Sequence, residues 1–168
     1  VGSGVINLLK KNSEEISKWS GFEIKLECVS ASDKTKKRVC DISGLRFYSD
    51  PIEMLDKETI DIFVELVGGE TISKDLVTKA LKNNIHVVTA NKALIAIHGN
   101  EISKISNNNS SDIYYEASVA GAVPIIRVIR ESLNANDINW IAGIINGTTN
   151  YILTEMLKSK KDFDVVLK

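Results

Sequence analysis

Cysteine is nearly absent. Cys28 and Cys40 are the two present in 168 residues. That is too few for a disulfide scaffold, and no CxxC pair or Cys/His cluster offers a zinc site. Both read as structural thiols in a reducing compartment. An excess of one charge is also missing: 21 Lys and Arg face 22 Asp and Glu, a net of -1. Without a basic field, nucleic acid is not an expected partner. No apolar run reaches the roughly 18 residues of a membrane span. No secretory leader is visible, and the start without methionine reads as cut or processed. Hydrophobic residues nevertheless make up 43%, which excludes wholesale disorder and allows a core for one domain or a little more.

What is present is an alternation of helix-like and strand-like segments. Residues 4–18 carry Val5, Ile6, Leu8, Leu9 and Ile16 on an approximate apolar face and predict a helix. Residues 22–30 alternate apolar and polar side chains and predict a strand; 45–48 predict a shorter one. The polar stretch Ser32-Asp33-Lys34-Thr35-Lys36-Lys37-Arg38 between them reads as a loop. Asp50-Pro51 is a helix start, since proline is tolerated in a first turn. The run Ile62-Phe63-Val64-Glu65-Leu66-Val67 ends at Gly68-Gly69, as a buried parallel strand entering a tight turn would. Ser73 is placed as the cap of a helix reaching Asn83. Residues 85–89 predict the next strand, Asn107-Asn108-Asn109-Ser110-Ser111 a polar turn, 113–115 a short strand, and 123–133 a helix with Pro124 second.

This βαβ rhythm predicts an α/β fold, a Rossmann-like doubly wound parallel sheet. After Asn134 the pattern changes. Residues 138–145 predict a longer strand, followed by Asn146-Gly147-Thr148-Thr149-Asn150 and an amphipathic stretch to Lys158. The expected division is a nucleotide-binding domain over 1–134 and the start of a second, α+β domain over 135–168.

Two places carry chemistry. In Val87-Val88-Thr89-Ala90-Asn91-Lys92, a strand gives way to a helix at a lysine. Ligands of open α/β sheets collect outside the carboxyl ends of such strands. Lys92 is there either as a charge clamp or proton carrier, or as a surface lysine on a first helical turn. The start, Val1-Gly2-Ser3-Gly4 before a helix, fits the end of a GxGxxG fingerprint with Gly2 as its third glycine. On that reading the first strand and two glycines precede Val1. Asp33 is a candidate for an adenosine ribose, whereas Lys34, Lys36, Lys37 and Arg38 would suit a 2′-phosphate or form a solvated loop. His86 reads as packed within a strand and His98 as exposed in a turn; neither is a candidate acid or base.

Three segments together resemble homoserine dehydrogenase: VVTANKALIAIHG over 87–99, YEASVAGAVPIIR over 115–127, and GIINGTTNYILTEM over 143–156. Their order and spacing match, and VGSGVINLL at the start and ELVGG over 65–69 fit too. Ala122 departs from the family, which often has a glycine there. The resemblance implies an NAD(P)-dependent oxidoreductase interconverting L-homoserine and L-aspartate 4-semialdehyde, in threonine, methionine and isoleucine biosynthesis. It implies NADP or NAD bound by Val1, Gly2, Gly68, Gly69, Thr89, Ala90, Asn91 and Lys92, with Lys92 catalytic. Asn146, Gly147 and Thr148 would line the substrate pocket. A monovalent cation, Na+ or K+, would be held by Glu116, Val119, Gly121 and Val123. The second domain would bind substrate and build a homodimer in the full-length protein, with a cytoplasmic location, or a plastid one in a plant.

The family's chain also continues beyond Lys168, into substrate-binding carboxylates and a second lysine, so this stretch alone is expected to turn over negligibly. Because the second domain is incomplete, Ile141, Ile144 and Ile145 are expected to leave an exposed apolar surface. Aspartate 4-semialdehyde dehydrogenase is the weaker enzyme alternative, since neither cysteine has a histidine partner. A nucleotide-binding module without turnover is the alternative from another class.

Overall fold

The computed structural model describes residues 1–167. The chain divides into two compact units, Val1–Ser118 and the residues from Val119 onward. The division falls earlier in the chain than the boundary expected after Asn134.

The first unit begins with helix α1 (Gly2–Lys11) and helix α2 (Ser13–Ser20). One helix was expected over 4–18. Asn12 interrupts it with a non-helical backbone, φ -113 and ψ 21, as a side chain that competes for backbone hydrogen bonds does. Strands β1 (Cys28–Ser30) and β2 (Arg46–Tyr48) pair in parallel. The strand expected over 22–30 forms only in its last three residues, the ones with a partner; Phe22 stays exposed. Helix α3 (Pro51–Lys57) starts as the sequence indicated. The Asp50 carboxylate caps it, accepting from the Ile52 amide at 2.8 Å.

The second sheet positions the site. Strands β3 (Ile62–Glu65), β4 (His86–Thr89) and β5 (Ile113–Tyr114) run parallel in the order β3-β4-β5. Helices α4 (Thr71–Lys82) and α5 (Lys92–Asn107) make the crossovers. The parallel α/β class is therefore as expected, with the strands in two ladders. Leu76, Val77, Ala80 and Leu81 of α4 lie one turn apart in pairs and are wholly buried, with Leu94 and Ile102 of α5. They pack against Phe63, Val87 and Ile113, each large apolar side chain contributing about 1.5–3 kcal/mol. The other side of β3 is open: Ile62 is 49% exposed and Val64 38%. The run over 62–67 is thus a strand buried on one face, not on both.

Burial on β3 alternates, so Phe63 and Glu65 share the core-facing side. Register pairs Glu65 with Thr89 at the carboxyl ends of adjacent strands. Ser73 does not cap α4, whose N-cap is Glu70; it lies buried inside the first turns.

In the second unit, α6 (Ile125–Arg127) continues into a π-helical turn over Val128–Ser132, with Pro124 as N-cap instead of second residue. Helix α7 spans Gly147–Ser159 and α8 Phe163–Val166. The strand expected over 138–145 does not form. No described strand pairs with it, and an extended segment becomes a strand only when a neighbour takes its backbone groups. Its apolar side chains stay in water, Ile144 at 75% and Ile145 at 92% exposed, as expected for these positions.

Candidate functional site

Gly68 and Gly69 follow β3 with φ of +78 and +77. Successive left-handed residues need glycine because a Cβ would clash with its own backbone. Space is not the reason: a Cβ at either glycine would meet no atom within 4 Å. Open space therefore lies above the turn.

Below that turn lies Glu65, with no exposed surface. Its Oε1 accepts from the amides of Val67 (2.9 Å) and Gly68 (3.0 Å) and from the Ser73 hydroxyl (3.0 Å). Its Oε2 accepts from the Thr89 hydroxyl at 2.6 Å. Thr89 Oγ1 in turn accepts from the Asn91 amide at 3.0 Å. Asn91 caps α5, its Oδ1 accepting from the Leu94 amide at 3.1 Å, while its Nδ2 donates to the Gly69 carbonyl at 2.6 Å. Ser118, buried in the 3-10 turn Glu116–Ser118, donates to the Thr89 carbonyl at 2.9 Å.

The structure thus brings Gly68, Gly69, Thr89, Ala90, Asn91 and Lys92 to one edge, at the carboxyl ends of β3 and β4. Thr89 is wholly buried, so its hydroxyl acts inside the protein. Lys92, the first residue of α5, is exposed. A cation there opposes the positive end of the helix dipole, so helix stability gives no reason for it. Gly2 opens α1, and a Cβ on it would lie 3.9 Å from Leu66 Cδ1, an ordinary contact. The start of α1 therefore stands beside the residue after β3, and no side chain caps it. Uncapped first-turn amides suit an anion such as a pyrophosphate. An uncapped helix start, an open glycine turn and a strand-end lysine fit a dinucleotide.

The loop after β1 closes on itself. Asp33 Oδ1 accepts from the Thr35 hydroxyl and amide, both at 2.7 Å, and these bonds hold its carboxyl below the usual range. The Arg38 guanidinium donates to the Lys34 and Lys36 carbonyls and lies 5.6 Å from the centre of the Phe47 ring. Arg38 is therefore bound within its own loop, with Lys36 and Lys37 exposed.

Among the other expected residues, Glu116 opens the 3-10 turn and is half-buried. Over Val119–Val123 the backbone alternates in hand: Ala120 and Ala122 have φ of +48 and +67, and Val119, Gly121 and Val123 are not in that region. The Ala120 carbonyl accepts from the Val123 amide at 2.9 Å, and that of Val123 from Ile125 at 2.8 Å. Asn146 Oδ1 accepts from the Thr149 amide at 2.9 Å and caps α7, with Gly147 and Thr148 in its first turn.

The histidines differ from expectation. His86 opens the central strand β4 and is only half-buried, its Nδ1 accepting from the Asp112 amide at 3.0 Å, and His98 is half-buried within α5. Glu65 and Ser118 carried no expected role, and Ser73 was expected only as a helix cap. The available signal for Glu65 was period: it stands two residues from Phe63, on the inward side.

A parallel α/β unit with this glycine turn and helix edge defines a dinucleotide-binding domain. The family model for the homoserine dehydrogenase NAD-binding domain matches residues 1–116, and the homoserine dehydrogenase model matches 124–168. The chain belongs to the homoserine dehydrogenase family. It is 46% identical over 167 residues to homoserine dehydrogenase of Pseudomonas aeruginosa, covering 99% of this chain and 38% of that protein. Against the Bacillus subtilis homoserine dehydrogenase it is 38% identical, covering 100% of this chain and 39% of the relative. The solved homoserine dehydrogenase from Thiobacillus denitrificans superposes with a TM-score of 0.89 at 43% identity, over 99% of this chain and 38% of that one. The chain thus spans well under half the length of the curated relatives it matches. No helix among the described residues is long and apolar enough to cross a membrane.

Proposed function

We propose that this chain is the cofactor-binding part of a homoserine dehydrogenase, interconverting L-homoserine and L-aspartate 4-semialdehyde in amino-acid biosynthesis. The observation that carries this reading is the edge where the left-handed Gly68-Gly69 turn meets the Asn91-capped start of α5, with Lys92 exposed upon it. Val1 and Gly2 present the first turn of α1 to the phosphates. Gly68, Gly69, Thr89, Ala90 and Asn91 shape the nicotinamide end. NADP or NAD, when bound, supplies the hydride acceptor.

Oxidising the alcohol requires loss of its hydroxyl proton as hydride leaves the carbon. Lys92 takes that proton, and in reverse its ammonium polarises and protonates the aldehyde oxygen; a positioned acid or base of this kind is worth about 10²–10⁴-fold. Asn146, Gly147 and Thr148 contact the substrate. Carbonyls of Glu116, Val119, Gly121 and Val123 hold Na+ or K+, since hard cations take oxygen ligands. The exposed apolar positions over 138–145 belong to a homodimer interface of the longer protein, which works in the cytoplasm.

The test is the longer protein carrying this chain, given L-homoserine with NADP+ or NAD+ at alkaline pH. Substrate-dependent reduction of the dinucleotide is expected. Dinucleotide binding without any such reduction would favour a module that only binds.

A further inference from the structure

Glu65 is a buried titratable group to which the proposed chemistry gives no part. Among the described residues its carboxylate has no cationic partner, and a buried carboxylate is costly unless hydrogen bonds replace its water. Here four donors do so, and they divide. One oxygen serves the Val67 and Gly68 amides and Ser73. The other serves Thr89, on the next strand. The bonds close into a ring: Glu65 to Gly68, Gly69 to Asn91, Asn91 to Thr89, and Thr89 back to Glu65. Lys92 is the next residue after this ring.

A turn alone would need only one acceptor. A group with two acceptor oxygens, set between strands, fixes the turn and the start of α5 in one mutual arrangement. We infer that Glu65 is a positioning residue, its carboxylate holding the Gly68-Gly69 turn and the Thr89–Lys92 segment in register for the nicotinamide end of the dinucleotide. This rests on the dehydrogenase reading only for the identity of the ligand. The geometry of the ring stands without it.

The experiment uses the longer protein, with NADP+ and NAD+ titrated by fluorescence and folding checked by circular dichroism. Glu65→Met removes all four bonds and is expected to weaken the tighter-bound dinucleotide at least tenfold. Glu65→Gln keeps an acceptor for the turn amides and is expected to recover most of that loss. Thr89→Val cuts the ring while leaving Glu65 in place, and decides the matter if Glu65→Met fails to fold; at least a fivefold loss is expected. In cofactor-free protein, the Val67 and Gly68 amides should exchange hydrogen faster in Glu65→Met and not in Thr89→Val. Folded variants that bind within twofold of the parent would overturn the proposal. So would equal losses for Gln and Met. A parent that binds dinucleotide without oxidising L-homoserine would instead sink the dehydrogenase reading and leave Glu65 to be judged by affinity and exchange.

Discussion

Replacing Asn91 by alanine separates two bonds made by one side chain. The Oδ1 cap on the Leu94 amide is worth about 1 kcal/mol, within a range of about 0.5–2. The Nδ2 bond to the Gly69 carbonyl, short at 2.6 Å and at an 8% exposed residue, adds about 1 kcal/mol net. Asn91→Ala should therefore loosen the start of α5 by about 2 kcal/mol, or about 30-fold in the opening equilibrium. Asn91→Ser keeps a cap that helix N-termini accept about as well and loses the bridge to Gly69. It should cost less than alanine by about the value of the cap. The assay is hydrogen exchange at the Leu94 amide in the folded, cofactor-free protein, where local opening is read without unfolding the rest. Exchange in Asn91→Ala within threefold of the parent would refute the reasoning. So would a serine variant as loose as alanine, because it would deny the cap any part.

Two further outcomes follow from the same geometry. Gly68→Ala should lower stability by about 1–2 kcal/mol through backbone hand alone, since no atom stands within 4 Å of the new Cβ; an unchanged thermal midpoint would contradict this. The Arg46 guanidinium, and then the Tyr48 hydroxyl, hold the Glu58 carboxyl below its ordinary value of 4.5, at 2.6 Å each. A carboxyl lowered in the folded state stabilises fully above its unfolded value and loses that contribution as pH falls through the folded one. Arg46→Met should thus lower the thermal midpoint at neutral pH, with the gap to the parent closing as pH falls below 4.5; a gap that persists in acid would contradict the pairing.

The sequence revealed elements whose signals are local. Asp50-Pro51 announces α3 because a carboxylate cap and a proline act within one turn. The apolar runs over 62–67 and 85–89 announce β3 and β4. It failed where the deciding partner is distant. Phe22 begins a strand by alternation, yet only Cys28–Ser30 has β2 beside it. Ser73 looks like a cap until Glu65, eight residues earlier, claims its hydroxyl. Residues 138–145 are apolar enough for a strand, but no described strand pairs with them. The placement of Lys92 and the paired glycines at the carboxyl ends of β4 and β3 was legible from type and place. The carboxylate beneath them was not, because a glutamate in an apolar run reads as solvent-facing until register puts it opposite Thr89.

The central claim is that Lys92 works at the edge of a dehydrogenase site. The most direct measurement is the turnover number for L-homoserine oxidation by the longer protein and by its Lys92→Ala variant, at saturating dinucleotide. Loss of one positioned acid or base predicts a fall of about 100-fold or more, with the fold intact because Lys92 is exposed. A turnover number within a few-fold of the parent would contradict the account.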